Sequence, residues 1–457
     1  MNFIGRQAEL RKLEKSFTSN RQETILIYGR RRVGKSELIR KALEMTAIPH
    51  LYYECKETSE MNNISSLSAL ISQIYGERRL AFDSMEEVLD YFFERAKTPQ
   101  ILVLDEYPYL RNTVKGLDSI LQSLIDKYRD SSGLKLILCG SFVETMKSLI
   151  LAHSPLYGRM TLTINLKPMD YYESALFYPR FSPDDRVRLY SVFGGIPYYN
   201  QLIDSSLSVR ENLMNLLVEP GARLEDETTL FLQAELSKLN NANQVFETLA
   251  KGTRHFSDIL EKSHISSSPT LSDVLKRLMQ MELVSRKSPI NDENNRKKSN
   301  YLVSDNLSRF FYRYLYRYSS QRMIMAPDTF YDRYIADDFE HTFVPESFEE
   351  ICAQYLIRKN QAGLMDPPFE KIGKYYYDLP GEHRNGEFDI VTLDEKGYIF
   401  YEAKFRKNPI TAEMRKKEIA QVTAAGLPCY RYGFFSRSGF EGSPGEKEIC
   451  ITLDEMY

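Results

Sequence analysis

Apolar and polar positions follow periods that change several times along this chain. Residues 3–17 carry Leu10, Leu13 and Phe17 at helical spacing, which predicts an amphipathic helix. Thr24 to Tyr28 is an apolar run of strand length, and Glu37 to Leu43 returns to a helical pattern. His50 to Cys55 predicts a second strand. Residues 58–97 read as helical, with Leu67, Leu70, Ile71 and Ile74 on one face. Ile101 to Leu104, Leu134 to Ser141 and Met160 to Leu166 are three further expected strands; the first is continuously apolar as in buried parallel sheets, and the second is mainly apolar and ends in a small polar residue.

Beyond them, residues 170–218 are helical apart from a break at Phe193-Gly194-Gly195-Ile196-Pro197-Tyr198. The glycines end one helix and Pro197 suits the first turn of the next. That break is either a helix–helix corner or part of a helical lid on a nucleotide. Three short helices are expected at Val245–Ala250, Phe256–Leu260 and Thr270–Met281. A basic excursion (Arg286, Lys287, Arg296, Lys297, Lys298) follows, and Tyr301 to Val303 closes it as a hairpin. Two helices, a third helix and a wing outline a winged helix, which serves either DNA or protein contacts. Phe310 to Tyr318 interleaves aromatics with arginines, as a packed helix with snorkelling arginines does. Residues 319–345 read as a connector. Gly386 to Leu393 and Tyr398 to Phe405 are strands joined by a turn at Asp394 to Gly397.

Composition narrows the class. The 457 residues are 42% apolar and 27% charged, with a net charge of −3. No global positive field draws in nucleic acid or an anionic membrane, so a nucleic-acid site has to be a local patch. The five cysteines form no C-x-x-C pair, which argues against zinc and disulfides and for a reducing cytoplasm. No apolar run nears the ~18 residues that span a bilayer, so no membrane partner is expected. Met1 to Arg6 leads straight into a structured pattern with no signal peptide.

The chemistry begins after the first strand. Gly29 to Ser36 fits G-x-x-x-x-G-K-[ST] at every fixed position, between a strand and a helix. The glycines let backbone N–H groups face phosphate oxygens. The helix N-terminus adds partial positive charge, Lys35 adds a full one, and the Ser36 hydroxyl can hold Mg²⁺. Gly29, Arg32, Val33, Gly34, Lys35, Ser36 and Glu37 are therefore assigned to nucleotide binding, with ATP and Mg²⁺ as the expected ligands. Asp105 and Glu106 stand at the C-terminal end of the third strand, where open α/β sheets bind ligands. Asp105 would hold Mg²⁺ through water and Glu106 would polarise the attacking water. Ser141 ends the next strand, within reach of the γ-phosphate or that water. Arg159 is either a sensor of transition-state charge or a surface ion pair. Arg30 to Arg32 meet phosphate, a neighbouring subunit or solvent.

A second constellation lies near the C-terminus. Pairing Leu393 with Tyr398 places Asp389 opposite Glu402. Like charges roughly 4.5–5.5 Å apart are destabilising without compensation, and a divalent cation between them would supply it. Glu402 and Lys404 share one side of the sheet. The helix beginning at Ser347 adds Glu349 or Glu350.

This set resembles the PD-(D/E)xK nuclease superfamily. The resemblance implies that Asp389 and Glu402 bind Mg²⁺ or Mn²⁺, that Lys404 assists catalysis, and that the helix acid is Glu349 or, as the alternative, Glu350. With Phe3-Ile4-Gly5-Arg6, Gly29 to Ser36, Asp105-Glu106, Tyr157-Gly158-Arg159 and Gly194 to Pro197, the whole chain resembles the archaeal-type P-loop ATPases. These belong to the AAA+/STAND-like group and carry a winged helix and a C-terminal nuclease-like domain. The expected fold is α/β. It comprises an ASCE-type parallel sheet (1–168), a helical lid (169–235), a winged helix (236–305), a connector (306–345) and a restriction-endonuclease-like domain (346–457). The resemblance also implies that Pro197 lies near the adenine and that Arg159 is a conformational or inter-subunit sensor, which a homo-oligomer would use. The expected function is an ATP-driven, DNA-associated switch. The competing class is a signalling or protein-interaction ATPase with a catalytically silent C-terminal domain.

Overall fold

A continuously apolar strand must be covered on both faces, and the first half of the chain is built to do this. The computed structural model describes residues 3–77, 80–235, 239–295, 298–379 and 384–457. They fall into two units. The first holds the residues up to Pro168 together with Ile196–Tyr198; the second holds Met169–Gly195 and Tyr199–Tyr457.

In the first unit, α1 (Gln7–Phe17) precedes β1 (Glu23–Tyr28), α2 (Lys35–Glu44) and β2 (His50–Glu54). Then come α3 (Glu60–Tyr75), α4 (Met85–Arg95), β3 (Gln100–Asp105), α5 (Tyr107–Thr113), α6 (Leu117–Lys127), β4 (Leu134–Gly140), α7 (Val143–Ser148) and β5 (Leu162–Asn165). The five strands lie in the order β2-β3-β4-β1-β5, and every pair is parallel. Leu26, Leu102, Leu104, Leu136 and Leu138 face one way, into a cluster with Leu67, Ile71, Val88, Phe92 and Leu121. Because all strands run the same way, the ends of β1, β3 and β4 meet at one edge. That edge is the ligand-binding end of such a sheet.

The second unit begins with α8 (Tyr171–Ala175) and α9 (Pro183–Phe193). The expected break follows: Gly194 has φ 56° and Pro197 opens α10 (Pro197–Asn200). A Cβ on Gly195 would come within 1.8 Å of the Met169 carbonyl oxygen, so only glycine fits there. After α11 (Val209–Leu213) and α12 (Glu227–Glu235) come three helices, α13 (Leu239–Ala250), α14 (Phe256–Lys262) and α15 (Ser268–Gln280). An antiparallel hairpin of β6 (Val284–Lys287) and β7 (Asn300–Val303) follows them. These match the stretch where the sequence predicts three helices and a wing; Arg296 and Lys297 lie outside the described residues.

The aromatic run opens as α16 (Asn306–Phe310) and continues helically to Tyr316. It packs as expected. Tyr312 stacks on Phe246 with ring centroids 4.8 Å apart, and the Arg313 guanidinium reaches Asp338 at 2.6 Å. The expected connector is helical. Residues 319–345 contain α17 (Ser319–Ile324), α18 (Pro327–Tyr334), α19 (Ala336–Asp338) and a further helical turn (Phe339–Phe343) that runs into α20 (Val344–Gln361). Phe330, Ile335, Phe339 and Phe343 are buried, and their helical spacing was hidden among charged residues.

The last sheet is mixed and ordered β12-β11-β10-β9-β8. Its strands are β8 (Lys371–Leu379), β9 (Arg384–Asp394), β10 (Gly397–Lys404), β11 (Cys429–Ser436) and β12 (Glu448–Thr452). β8, β9 and β10 form an antiparallel meander. The helix α21 (Ala412–Ala424) then returns the chain so that β11 runs parallel to β10. Among the described residues, no helix is long and apolar enough to cross a membrane.

Candidate functional site

The loop after β1 is shaped by contacts that only its own residue types permit. A Cβ on Gly29 would sit 2.2 Å from the Leu166 carbonyl oxygen. Gly34 takes φ 91° at the start of α2, where a side chain would be strained. Val33 is fully buried. Lys35 is 5% exposed and donates from Nζ to the carbonyls of Gly29 and Arg30 at 2.9 and 3.0 Å. The lysine therefore closes the loop on itself. Burial pulls its pKa down, while Cys139, Glu106 and Asp105 oppose that shift.

Asp105 ends β3 directly beside the loop. Its Oδ2 accepts the Ser36 hydroxyl at 2.7 Å and the Tyr52 hydroxyl, and its Oδ1 accepts the Glu106 backbone N–H at 2.9 Å. Burial alone would raise this carboxyl. Hydrogen bonds from Tyr52, Cys139, Ser36 and the Glu106 backbone outweigh burial and hold it below the ordinary carboxylate value. A hydroxyl and an ionised carboxylate this close fit a hard, oxygen-seeking cation such as Mg²⁺. Glu106 turns through φ 50°, a left-handed conformation rare for a side-chain-bearing residue. The turn aims its carboxylate at Ser141, whose hydroxyl donates to Glu106 Oε1 at 2.6 Å. Ser141 thus holds the residue expected to polarise water.

The remaining expected site residues take these places. Pro197 lies over the loop, its Cγ 3.8 Å from a Cβ placed on Gly34. The Arg32 guanidinium lies 4.2 Å from the centre of the neighbouring Tyr198 ring, and Arg31 stands 5.5 Å from the Phe142 ring. The Glu37 side chain pairs with Arg40 at 2.7 Å on the surface. Arg6 is buried, and its guanidinium donates to the Lys167 carbonyl at 2.6 Å. Arg159 pairs with Asp126 of α6 at 2.5 Å. Arg159 precedes β5 and α6 leads into β4, so this pair lies at the end of the sheet away from the phosphate loop. Within one chain, Arg159 does not reach the site.

The C-terminal constellation is only partly assembled as expected. The β9–β10 ladder has the expected register, from Leu393–Tyr398 to Ile390–Tyr401. It stops one pair short of Asp389 and Glu402. Glu349 is partly buried and lies within the field of Asp389 and Glu402, while Glu350 is exposed. Burial, then Asp389, push the Glu349 carboxyl up to about 8. Burial also raises Glu402, against the pull of Lys404. Lys404 ion-pairs with Glu402 and stands 3.8 Å from Glu418. Lys374 of β8 ion-pairs with Asp389 and reaches Glu387 at 2.9 Å. Among the described residues, no three His, Cys, Asp or Glu side chains are close enough together to hold a metal ion. As placed, this set does not fit a divalent cation.

Sequence reading missed two residues of these sites. Tyr52 became legible only with the strand order: β2 neighbours β3 and Tyr52 pairs with Val103, so Asp105, two residues on, points to the same face. Lys374 lies on β8, a strand the sequence reading did not assign.

Residues 3–202 match the family described as an ATPase domain predominantly from Archaea, and residues 311–422 match one described as archaeal and bacterial proteins of unknown function. The chain is 27% identical to an uncharacterised protein of Methanocaldococcus jannaschii over 99% of both chains. It is 43% identical over 53 residues to an uncharacterised ATP-binding protein of the same organism, covering 12% of this chain and 90% of that one. In fold it resembles the Walker-type ATPase PABY2304 of Pyrococcus abyssi, with a TM-score of 0.51 and 21% identity over 68% of this chain and 96% of that one.

Proposed function

We propose that this chain, an ATPase of the archaeal P-loop type, is an ATP-driven switch that acts on DNA. The observation that carries the reading is the Lys35–Ser36–Asp105–Glu106–Ser141 arrangement at one edge of a parallel sheet. On nucleotide binding, Lys35 exchanges its two backbone carbonyls for phosphate oxygens. Ser36 and Asp105 would hold the magnesium ion, which neutralises charge on the β- and γ-phosphates. Glu106 leaves Ser141 to orient the attacking water, and Ser141 becomes free to meet the γ-phosphate. Pro197, over Gly34, lets the nucleotide bear on the helix break at Gly194 and Gly195. Arg159 acts on a neighbouring subunit.

DNA contact is supported by the three helices and hairpin of residues 239–303, read as a winged helix. Lys276 and Arg277 are exposed on α15, and Arg286 and Lys287 on β6. On a chain of net charge −3, these are the cations the module would offer to phosphates, with Arg277 also paired to Asp273 at 3.2 Å. The C-terminal sheet adds a nuclease-like face with Glu349, Asp389, Glu402 and Lys404. Among the described residues, these carboxylates are not gathered closely enough to hold a metal ion. The test is Mg²⁺-dependent ATP turnover of the full chain with and without duplex DNA, across a salt series. Turnover requires Lys35 and rises with DNA. That rise fades with salt, the affinity falling with a log–log slope of about −0.9 per phosphate neutralised. DNA that leaves turnover unchanged at every salt concentration would overturn the reading.

A further inference from the structure

Asp105 is held from two sides, and only one of them belongs to the phosphate loop. The other is β2. Glu54 pairs with Asp105 in the β2–β3 ladder, and the Cys55 N–H donates to the Asp105 carbonyl at 2.8 Å. Tyr52 pairs with Val103, so its side chain leaves the sheet on the same face as that of Asp105. The Tyr52 hydroxyl donates to Asp105 Oδ2, the oxygen that also accepts the Ser36 hydroxyl at 2.7 Å. Oδ1 accepts the Glu106 N–H at 2.9 Å. An ionised carboxylate oxygen offers two lone pairs. On Oδ2 both are taken by hydroxyls, which, with a donor on Oδ1, fixes the plane of the carboxylate.

The donor that Tyr52 supplies is itself held. The Arg40 guanidinium of α2 lies 5.3 Å from the centre of the Tyr52 ring, within reach of a cation–π contact, and Glu37 steadies Arg40 at 2.7 Å. Asp105 is 3% exposed, so bulk water has little access to replace a lost donor. The consequence falls on Ser36. A serine hydroxyl presents its lone pairs to a cation in a direction set by where its hydrogen points, and here the hydrogen points at Oδ2. The aim of Ser36 therefore follows the orientation of Asp105, and Tyr52 is the fixed donor that sets it from the neighbouring strand.

We propose that Tyr52 is a positioning residue of the ATPase site. It holds Asp105 so that the Ser36 hydroxyl, its hydrogen committed to Oδ2, turns its lone pairs to the magnesium ion of a bound nucleotide. This inference rests on the reading of Ser36 and Asp105 as the magnesium site. Tyr52 acts through Asp105, as outer partners of metal ligands do, and losing such a partner weakens metal binding about 10–100-fold.

The test is binding of a fluorescent ADP to the full chain across a Mg²⁺ series and in EDTA. Wild type, Tyr52→Phe, Asp105→Ala and the double variant are compared. Wild type should bind ADP more tightly as Mg²⁺ rises. Tyr52→Phe, which removes one hydroxyl, should match wild type in EDTA, so that fold and phosphate loop are seen to be intact, yet need about 10–100-fold more Mg²⁺ to reach the tightened state. ATP turnover should show the same split: a higher Mg²⁺ requirement, with kcat at saturating Mg²⁺ near that of wild type. In the Asp105→Ala background Tyr52→Phe should add nothing, because the two residues act as one unit. Equal Mg²⁺ dependence in wild type and Tyr52→Phe, or a full further loss in the double variant, would overturn the role of Tyr52 and leave the magnesium site standing. Weaker ADP binding by Tyr52→Phe in EDTA would overturn it too, in favour of a role in packing alone. ADP binding by wild type that ignores Mg²⁺ would overturn the magnesium reading as well.

Discussion

Substituting Gly29 by alanine probes the tie between the phosphate loop and the sheet. A carbon and a carbonyl oxygen in weak contact stand about 3.3–3.6 Å apart, whereas an alanine Cβ here would lie 2.2 Å from the Leu166 oxygen. The loop or the end of β5 must therefore move by roughly 1 Å. Overpacking of this kind costs about 1–3 kcal/mol. The shift also disturbs the Leu166 N–H bond to the Tyr28 carbonyl, 2.7 Å long, which is worth about 1 kcal/mol. Together these come to roughly 2–4 kcal/mol. For a unit of this size that lowers Tm by roughly 5–15 °C. The Gly29 carbonyl also holds Lys35, so the phosphate-binding ammonium is displaced with it. A misplacement near 1 Å can cost about 100-fold in rate. Calorimetry and steady-state phosphate release would check both effects. A Gly29→Ala protein within about 1 °C of wild type and equal in turnover would refute the claim that the loop is seated against β5 by this contact.

Two further outcomes are expected. The Glu349 carboxyl is raised from 4.5 to about 8 by burial first and Asp389 second. A carboxyl shifted up destabilises the fold as it ionises, so this cost is absent below about 4.5 and complete above about 8. Glu349→Gln should therefore raise Tm relative to wild type increasingly across that window and change nothing at lower pH; thermal melts at several pH values would show a flat difference if the argument is wrong. Arg159 sits in a partly exposed ion pair with Asp126, worth no more than about 1 kcal/mol. Arg159→Ala should leave stability nearly unchanged but abolish the rise in turnover per subunit with protein concentration. A concentration-independent rate in wild type would refute a role between subunits.

What was legible in the sequence was local. The phosphate loop lies within eight consecutive residues, so strand, glycines, lysine and helix could be read together. Asp105 and Glu106 were readable because they directly follow a buried apolar strand, which puts both carboxylates at the ligand-binding end of a parallel sheet. The hairpin register was readable because a tight turn sets it, and it holds from Leu393 to Ile390. It ends before Asp389, where the neighbouring β8–β9 register also shifts, between Gly373 and Tyr375. No pattern within β9 and β10 announces it. Tyr52 and Lys374 escaped for the same reason: each acts on a carboxylate of a neighbouring strand, and neighbours follow from sheet order. The helices of residues 319–345 were missed because their buried aromatics are separated by charged residues.

The proposed switch stands or falls on whether hydrolysis at Lys35 answers to DNA. The decisive experiment is steady-state ATP turnover at low salt, with and without duplex DNA, for wild type, Lys35→Ala and the double variant Lys276→Ala/Arg277→Ala. Wild type should turn over ATP at a rate that DNA increases, and Lys35→Ala should show none above background. The double variant should keep basal turnover and lose the DNA response. Equal turnover in wild type and Lys35→Ala, or a full DNA response in the double variant, would contradict the switch.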